Sequence, residues 1–304
     1  MNDDPTTPSA ADLIARAHAA GLPLTAVDEV LDTSGLDFVV LRAKDAAGGA
    51  WIVRAPRRDA AARAAEVEAR VLRLVAARLD VAVPAWRVHT RDVIAYPLLP
   101  GTPAVTFGAE GPCWNVIDPK AVPGAFLDSV AAALTALWTL SDTALVEAGV
   151  PRVSVADARA DLARAIEATR EVLAPPDHLL CRWQRWLADD RLWLSRVALV
   201  HGDLHPGHML VGADGALVGL LDWTEAKVTD PSVDLALFYG AFGERALGEL
   251  LARIERAGAP VESTLARHAA ERWSAFPAVL AEWALRNGNE DVVAHARALL
   301  EAGV

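Results

Sequence analysis

Hydrophobic and polar positions along the 304-residue chain predict two unlike parts, a small sheet with one helix packed on it and a longer, mainly helical remainder. Ser9 to Asp12 (SAAD) reads as a capping box, and Gly21 closes the short helix it opens. Short β-type runs follow, FVVLRA (38–43) and WIVRA (51–55), separated by the turn-rich KDAAGG of a hairpin. Residues 57–79 predict a helix, because Val67, Val71, Leu72, Leu74, Val75 and Leu79 recur at helical spacing with charges between them. Two further strand-like runs, AVPAWRVHT (82–90) and VIAYPLL (93–99), meet at Arg91-Asp92. PLLPGTP (97–103) is the clearest breakpoint.

Beyond it the stretch 104–121 reads as irregular, and helical patterns cover about 123–140, 154–174, 177–195, 231–256, 260–286 and 289–302. Pro175-Pro176 stops one helix before the next begins. One β-rich island interrupts the helices. ALV (198–200) leads into HGDLHPGH (201–208), and MLVG (209–212) with ALVGLLDW (216–223) reads as a hairpin. Such an island inside a helical region presents its loops for function.

Composition narrows the function classes. Lys and Arg number 29 against 40 Asp and Glu, a net charge of −11, which argues against general nucleic-acid binding while leaving room for a local basic phosphate site. The acidic N-terminus lacks an apolar signal core, and no run of about 18 apolar residues predicts a membrane span. Cys113 and Cys181 make neither a disulfide framework nor a four-thiolate zinc site. A reduced, cytoplasmic protein is the expectation, with a monomer as the simplest state.

The segment 201–208 carries the chemistry. His201 and His205 stand at the i, i+4 spacing of a metal-binding helix, but Pro206 and two glycines make a poor helix, and no fourth ligand is obvious. No Gly-x-Ser-x-Gly supports a nucleophile. A turn whose polar side chains cap the backbone is the plain alternative. Phosphoryl transfer accounts for more of the residues: it needs a carboxylate for the attacking hydroxyl, metal ligands, a cation on the phosphates and a backbone lid. Asp203 directly follows strand 198–200. Asp222 ends strand 216–221, and the hairpin returns it beside residue 208, reached by the turn through Pro206-Gly207.

HGDLHPGHMLV and GLLDWTEAKVTDPSVDLA, within 201–236, resemble the catalytic and metal segments of the aminoglycoside phosphotransferase family, and most closely its macrolide 2′-phosphotransferase branch. The usual pattern has Asn where this chain has His208, a change expected in that branch. The resemblance implies an α+β, bilobal, protein-kinase-like fold: a nucleotide-binding N-lobe over 1–100, a hinge at about 95–103 and a helical C-lobe over 104–304. It implies transfer of the γ-phosphoryl group of GTP, or ATP, to the 2′-hydroxyl of a macrolide's amino sugar. Another hydroxylated acceptor (an aminoglycoside, choline or a sugar) and an inactive nucleotide-binding scaffold are the alternatives.

Carried over residue by residue, the resemblance makes Asp203 the catalytic carboxylate, with His208 and Asp222 the Mg²⁺ ligands. An imidazole is an unusual partner for so hard a cation. His201 and His205 would order the loop, and Asp234 would hold its amides from below. Arg54 takes the place of the strand lysine on the phosphates and keeps its charge. Glu68 is its expected partner and Glu66 the alternative. No glycine-rich lid is present; Ser34 and Gly35, in DTSGLDF between a helix and the first strand, are the candidate backbone donors. Tyr96 to Leu98 lie nearest the purine, and since Pro97 has no N–H, the Leu98 N–H is the expected donor. For the acceptor, Glu225 would face an ammonium group. Trp273, Phe276, Leu280 and Trp283, spaced along one helix face, and Tyr239 and Phe242 would supply an apolar wall.

Overall fold

The structure is a computed structural model that describes residues 7–302, apart from 34, 36, 109, 110, 194 and 195 and the side chain of Val27. Helix α1 (Ala10–Ala19) starts on the expected capping box, with the Asp12 N–H donating to Ser9 Oγ at 3.2 Å and the Ser9 N–H donating back to Asp12 Oδ2 at 2.9 Å. Strand β1 (Leu24–Asp32) comes next, where no strand was expected. Asp28 sits there in the left-handed region (φ 55°), and the register slips between Thr25 and Val30, so the alternation that marks a strand is broken. The lid candidate 32–38 therefore joins two strands rather than a helix and a strand.

Strands β2 (Phe38–Asp45) and β3 (Ala50–Pro56) form the expected hairpin, paired from Phe38 with Pro56 to Lys44 with Ala50. Helix α2 (Asp59–Ala76) follows. Of 82–90 only β4 (Val88–His89) is strand; β5 (Ile94–Pro97) then completes an antiparallel sheet of order β1-β2-β3-β5-β4. Strand alternation gives this sheet two faces. Val39, Leu41, Ala43, Val53, Ala55 and Ala95 bury against Leu13, Ile14 and Ala17 of α1. Phe38, Ile94 and Tyr96 bury on the other face against Ala61 and Ala65 of α2. Arg54 shares the parity of that second face.

The chain leaves the sheet through β6 (Thr102–Pro103) and then forms a hairpin, β7 (Val105–Gly108) and β8 (Gly111–Trp114), inside the stretch expected to be irregular. Helices α3 (Gly124–Trp138), α4 (Asp142–Glu147), α5 (Val155–Leu173) and α6 (Asp177–Ala188) follow. Helix α6 ends seven residues before the expected 195, because Asp189 turns out of the helix and its carboxylate accepts the Arg191 N–H and guanidinium instead. The β island holds β9 (Ala198–Val200), β10 (Met209–Val211), β11 (Leu217–Leu220) and β12 (Lys227–Thr229). β10 pairs with β11 on one side and β6 on the other, while β12 pairs with β9.

Helices α7 (Ser232–Arg256), α8 (Leu265–Ser274), α9 (Phe276–Asn287) and α10 (Glu290–Glu301) complete the chain. The single helix expected over 260–286 is two. Pro277 has no N–H to continue α8, and the chain restarts as α9 at Phe276. The main core packs α3 and α7 against the β island, with Phe126, Leu134, Leu199, Met209, Trp223, Phe238 and Leu250 essentially solvent-free. No helix among the described residues is long and apolar enough to cross a membrane.

Candidate active site

The loop after β9 is shaped by what holds its backbone. The N–H groups of His201 and Gly202 donate to Asp234 Oδ2 and Oδ1, each at 2.8 Å, from a carboxyl buried in the first turn of α7. Burial pushes that carboxyl up to about 7, against the pull of the two amides. Gly202 has φ +90°, and a Cβ there would lie 2.2 Å from Glu225 O, so only glycine lets these two loops touch. The fully buried His201 ring lies against Trp223; its Nε2 donates to Leu221 O at 2.8 Å, which leaves Nδ1 to accept the Asp203 N–H at 3.3 Å. Burial, reinforced by His208, lowers His201 to about 4 and keeps it neutral. With its backbone fixed, the Asp203 side chain stands 41% exposed in the cleft.

The next turn sets position 208. His205 Nδ1 accepts the Gly207 N–H at 3.0 Å, and residues 206–208 close one 3₁₀ turn. His208 Nδ1 lies 3.0 Å from Asp203 O and 3.5 Å from Asp203 Oδ2. A carbonyl only accepts, so Nδ1 is the donor in that contact and Nε2 is the nitrogen left for a ligand. The β10–β11 hairpin brings Asp222 alongside, with the Leu221 N–H donating to His208 O at 2.9 Å. Asp222 is in the left-handed region, φ 55°. Burial opposes its charge, but Arg54 and His208 outweigh that and hold the carboxyl well below the usual range.

Arg54 and Glu68 make a buried pair, Nη1 to Oε1 at 3.0 Å, and the guanidinium lies over the Phe38 ring at 4.0 Å. Arg54 Nη2 is also buried, has no hydrogen-bond partner among the described residues and lies 3.9 Å from Asp222 Oδ1. Burial disfavours the guanidinium charge, yet Glu68 and Asp222 more than offset this and raise its pKa. Burial likewise pushes Glu68 up, but three donors face its oxygens: Arg54 Nη1, the Trp223 N–H at 3.3 Å and Thr224 Oγ1 at 3.1 Å. Glu66, the alternative partner, points instead toward His89 at 3.8 Å.

Arg54, Asp203, His208 and Asp222 therefore meet in one cleft of about 300 Å³, edged by Gly35 and Phe38. Arg57 holds the Gly35 carbonyl at 2.8 Å from outside. Ser34 lies outside the described residues. Tyr96 is buried close to Arg54, its phenol pushed up to about 12 by burial against the pull of Arg54. Leu98 corrects an expectation: its N–H donates to Ala50 O at 2.8 Å and is not free for a base. The Pro97 C=O, in the same trans peptide as the Leu98 N–H, points away from β3 instead.

The acceptor candidates do not form one wall. Phe242 is core, with Phe238 at 4.7 Å and Phe126 and Trp114 each at 5.4 Å. Tyr239 is half-buried against the same core. Trp273 lies in the last turn of α8 and Phe276 opens α9; their rings stack at 5.1 Å, and Trp273 packs over Gly240 of α7. Glu225 is 58% exposed and pairs with Lys227 at 3.3 Å.

Two features gave no sequence signal. One is Thr224, whose hydroxyl reaches Glu68. The other is a buried cluster: Asp230 accepts from Ser232, from His268 Nε2 at 2.7 Å and from Arg272 Nη2 at 2.8 Å, while Trp186 Nε1 donates to His268 Nδ1 at 3.0 Å. Burial opposes the Asp230 charge, but Arg272 and His268 overcome it and set its pKa well below the usual value. A depressed carboxyl adds stability above its unfolded pKa of about 4 and loses it as pH falls through the folded value. Asp230→Asn is therefore expected to cost about 3 kcal/mol at pH 7, with the deficit shrinking below about pH 4, as urea melts across pH would read. A deficit that stays constant with pH contradicts the ionised role.

The phosphotransferase enzyme family (APH) matches residues 30–301. A solved structure of a macrolide 2′-phosphotransferase type I superposes with a TM-score of 0.87 at 37% identity, over 96% of this chain and 98% of that one. The apoenzyme of the macrolide 2′-phosphotransferase MphH from Brachybacterium faecium gives 0.83 at 34%, over 95% and 96%. The uncharacterized protein YcbJ of Bacillus subtilis (strain 168) is 34% identical over 293 residues, 96% of this chain and 94% of that one. The α+β architecture is thus kinase-like, and the chain belongs to the phosphotransferase enzyme family.

Proposed function

We propose that the chain is a cytoplasmic, monomeric kinase that transfers the γ-phosphoryl group of GTP to the 2′-hydroxyl of a macrolide's amino sugar, with residues 1–100 and 104–304 as lobes about a hinge at 95–103. The observation that carries this reading is the cleft itself. A buried cation with one unpartnered N–H group faces two carboxylates and an imidazole, in a chain 37% identical to a macrolide 2′-phosphotransferase. Arg54 Nη2 is a donor waiting for an acceptor, and a phosphate oxygen satisfies it.

In this reading Asp203 accepts the hydroxyl proton at a carboxylate oxygen and aims the hydroxyl at phosphorus. Arg54, kept charged and oriented by Glu68, grips the phosphates. Gly35, with Ser34 beside it in sequence, would offer backbone amides to the phosphates. The Pro97 C=O meets the base in place of the Leu98 N–H, with Tyr96 behind it.

The donor set also fits a divalent cation. Asp222 offers oxygens held ionised, and His208 offers Nε2. Mg²⁺ bound by these two residues would neutralise charge on the transferring phosphate. Because one ligand is an imidazole, Mn²⁺ is expected to support activity at least as well. For the acceptor, Glu225 is placed to meet a dimethylammonium group, and Trp273, Phe276 and Tyr239 to meet the apolar ring.

The test is nucleoside diphosphate release with erythromycin or kanamycin as acceptor, GTP or ATP as donor, and Mg²⁺ or chelator. Release with erythromycin and GTP, lost on chelation, is the expected result. Turnover with kanamycin alone transfers the reading to an aminoglycoside, and no turnover with any pair favours a scaffold.

A further inference from the structure

Thr224 stands between the two charged halves of the cleft. Its hydroxyl donates to Glu68 Oε2 at 3.1 Å, and its N–H donates to Asp222 Oδ1 at 3.3 Å. Glu68 in turn holds Arg54, and the free Arg54 Nη2 lies 3.9 Å from that same Asp222 oxygen. The four residues close a ring. One arc lies on the sheet and α2 and the other on the loop after β11, with 156 positions between Thr224 and Glu68. Only the Glu68 contacts of Trp223 and Thr224 tie that loop directly to the Arg54–Glu68 pair among the hydrogen bonds of the described residues.

Resting on the phosphotransferase reading of the cleft, we infer that Thr224 is a positioning residue that couples the phosphate grip of Arg54 to the metal carboxylate of Asp222. Without its hydroxyl, Glu68 Oε2 loses its donor. The carboxylate is then freer to rotate, taking Arg54 with it, and the turn that holds Asp222 in its left-handed conformation keeps only the Trp223 N–H as its tie to Glu68 of α2. Asp222 and Arg54 would bind the two ends of one metal–phosphate unit, so an element ordering both makes metal and nucleotide binding mutually favourable. Thr224 is not among the residues that line the cleft, and it acts through its neighbours.

The test compares Thr224→Val, which keeps the shape and removes the hydroxyl, with Thr224→Ser, which keeps the hydroxyl. Thr224→Ala serves if the valine variant does not fold. Two quantities are read on each protein. The first, without nucleotide, is the exchange rate of the Trp223 amide, which reports its bond to Glu68. The second is GTP affinity across a Mg²⁺ titration.

Valine is expected to speed Trp223 exchange about tenfold, to weaken GTP binding about five- to tenfold, and to raise the Mg²⁺ concentration needed for half-maximal binding in parallel. Serine is expected to stay within about twofold of wild type on both. Wild-type GTP affinity and Mg²⁺ dependence in the valine variant overturn the coupling. So does a serine variant as impaired as valine, since methyl packing would then be the cause. If the wild-type protein binds no GTP, the cleft reading fails, and Trp223 exchange alone decides whether Thr224 holds Glu68; unchanged exchange in valine overturns that too.

Discussion

Replacing Asp203 by Asn is expected to lower phosphoryl transfer about 10³-fold while leaving nucleotide affinity within about twofold. The expectation rests on how little of the loop depends on that side chain. Its backbone is held by Asp234 through the His201 and Gly202 amides and by the His201 ring, none of which the substitution touches. Among the described residues, the carboxylate itself reaches only His208 Nδ1 at 3.5 Å and His205 Nε2 at 4.0 Å. An amide of the same shape keeps the fold but cannot take the hydroxyl proton. Product formation would be followed by mass and nucleotide affinity by titration. Transfer within tenfold of wild type would remove Asp203 from its assigned role. Loss of nucleotide binding along with transfer would show that the carboxyl shapes the site instead.

Glu68→Ala is expected to damage stability and nucleotide binding together. It removes the acceptor for Arg54, for the Trp223 N–H and for the Thr224 hydroxyl in one step, and leaves a buried guanidinium with Asp222 at 3.9 Å as its nearest counter-charge. Breaking a buried pair by deleting one partner costs about 3–5 kcal/mol, since the remaining charge is uncompensated. With Arg54 no longer oriented, nucleotide affinity should fall at least about tenfold, a loss of roughly 1.4 kcal/mol or more. Denaturant melts and nucleotide titration on the same protein separate the two effects. A variant with wild-type stability and affinity would mean that the pair is incidental.

How much of this was legible in the sequence follows from how each contact is made. Asp203, His208 and Asp222 lie within one strand–turn–hairpin unit, where alternation and turn length fix which residues meet. Arg54 and Glu68 were legible through the family resemblance, which pairs a strand cation with a helix glutamate, and the structure favours Glu68 over Glu66 as the partner. Thr224 reaching Glu68 and His268 reaching Asp230 were not, since both join elements far apart in the chain. β1 was hidden by the irregularity at Asp28, a conformation only the folded neighbours justify.

Leu98 was misassigned because strand parity depends on register, and the register against Ala50 is a tertiary property. Phe242 was read as pocket wall because an aromatic cluster on a helix face looks the same whether it faces a ligand or a hairpin, here β7–β8 with Trp114. The split at Ala275 is different. Pro277 was in plain view, and its missing N–H already argued against a continuous helix.

The most direct measurement takes erythromycin, GTP and Mg²⁺ with the wild-type protein and with Asp203→Asn, and reads the macrolide by tandem mass spectrometry. One added HPO₃ unit on the amino-sugar fragment with wild type, absent with Asp203→Asn, is the predicted result. An unmodified macrolide with wild type, or phosphate added equally by both proteins, contradicts it.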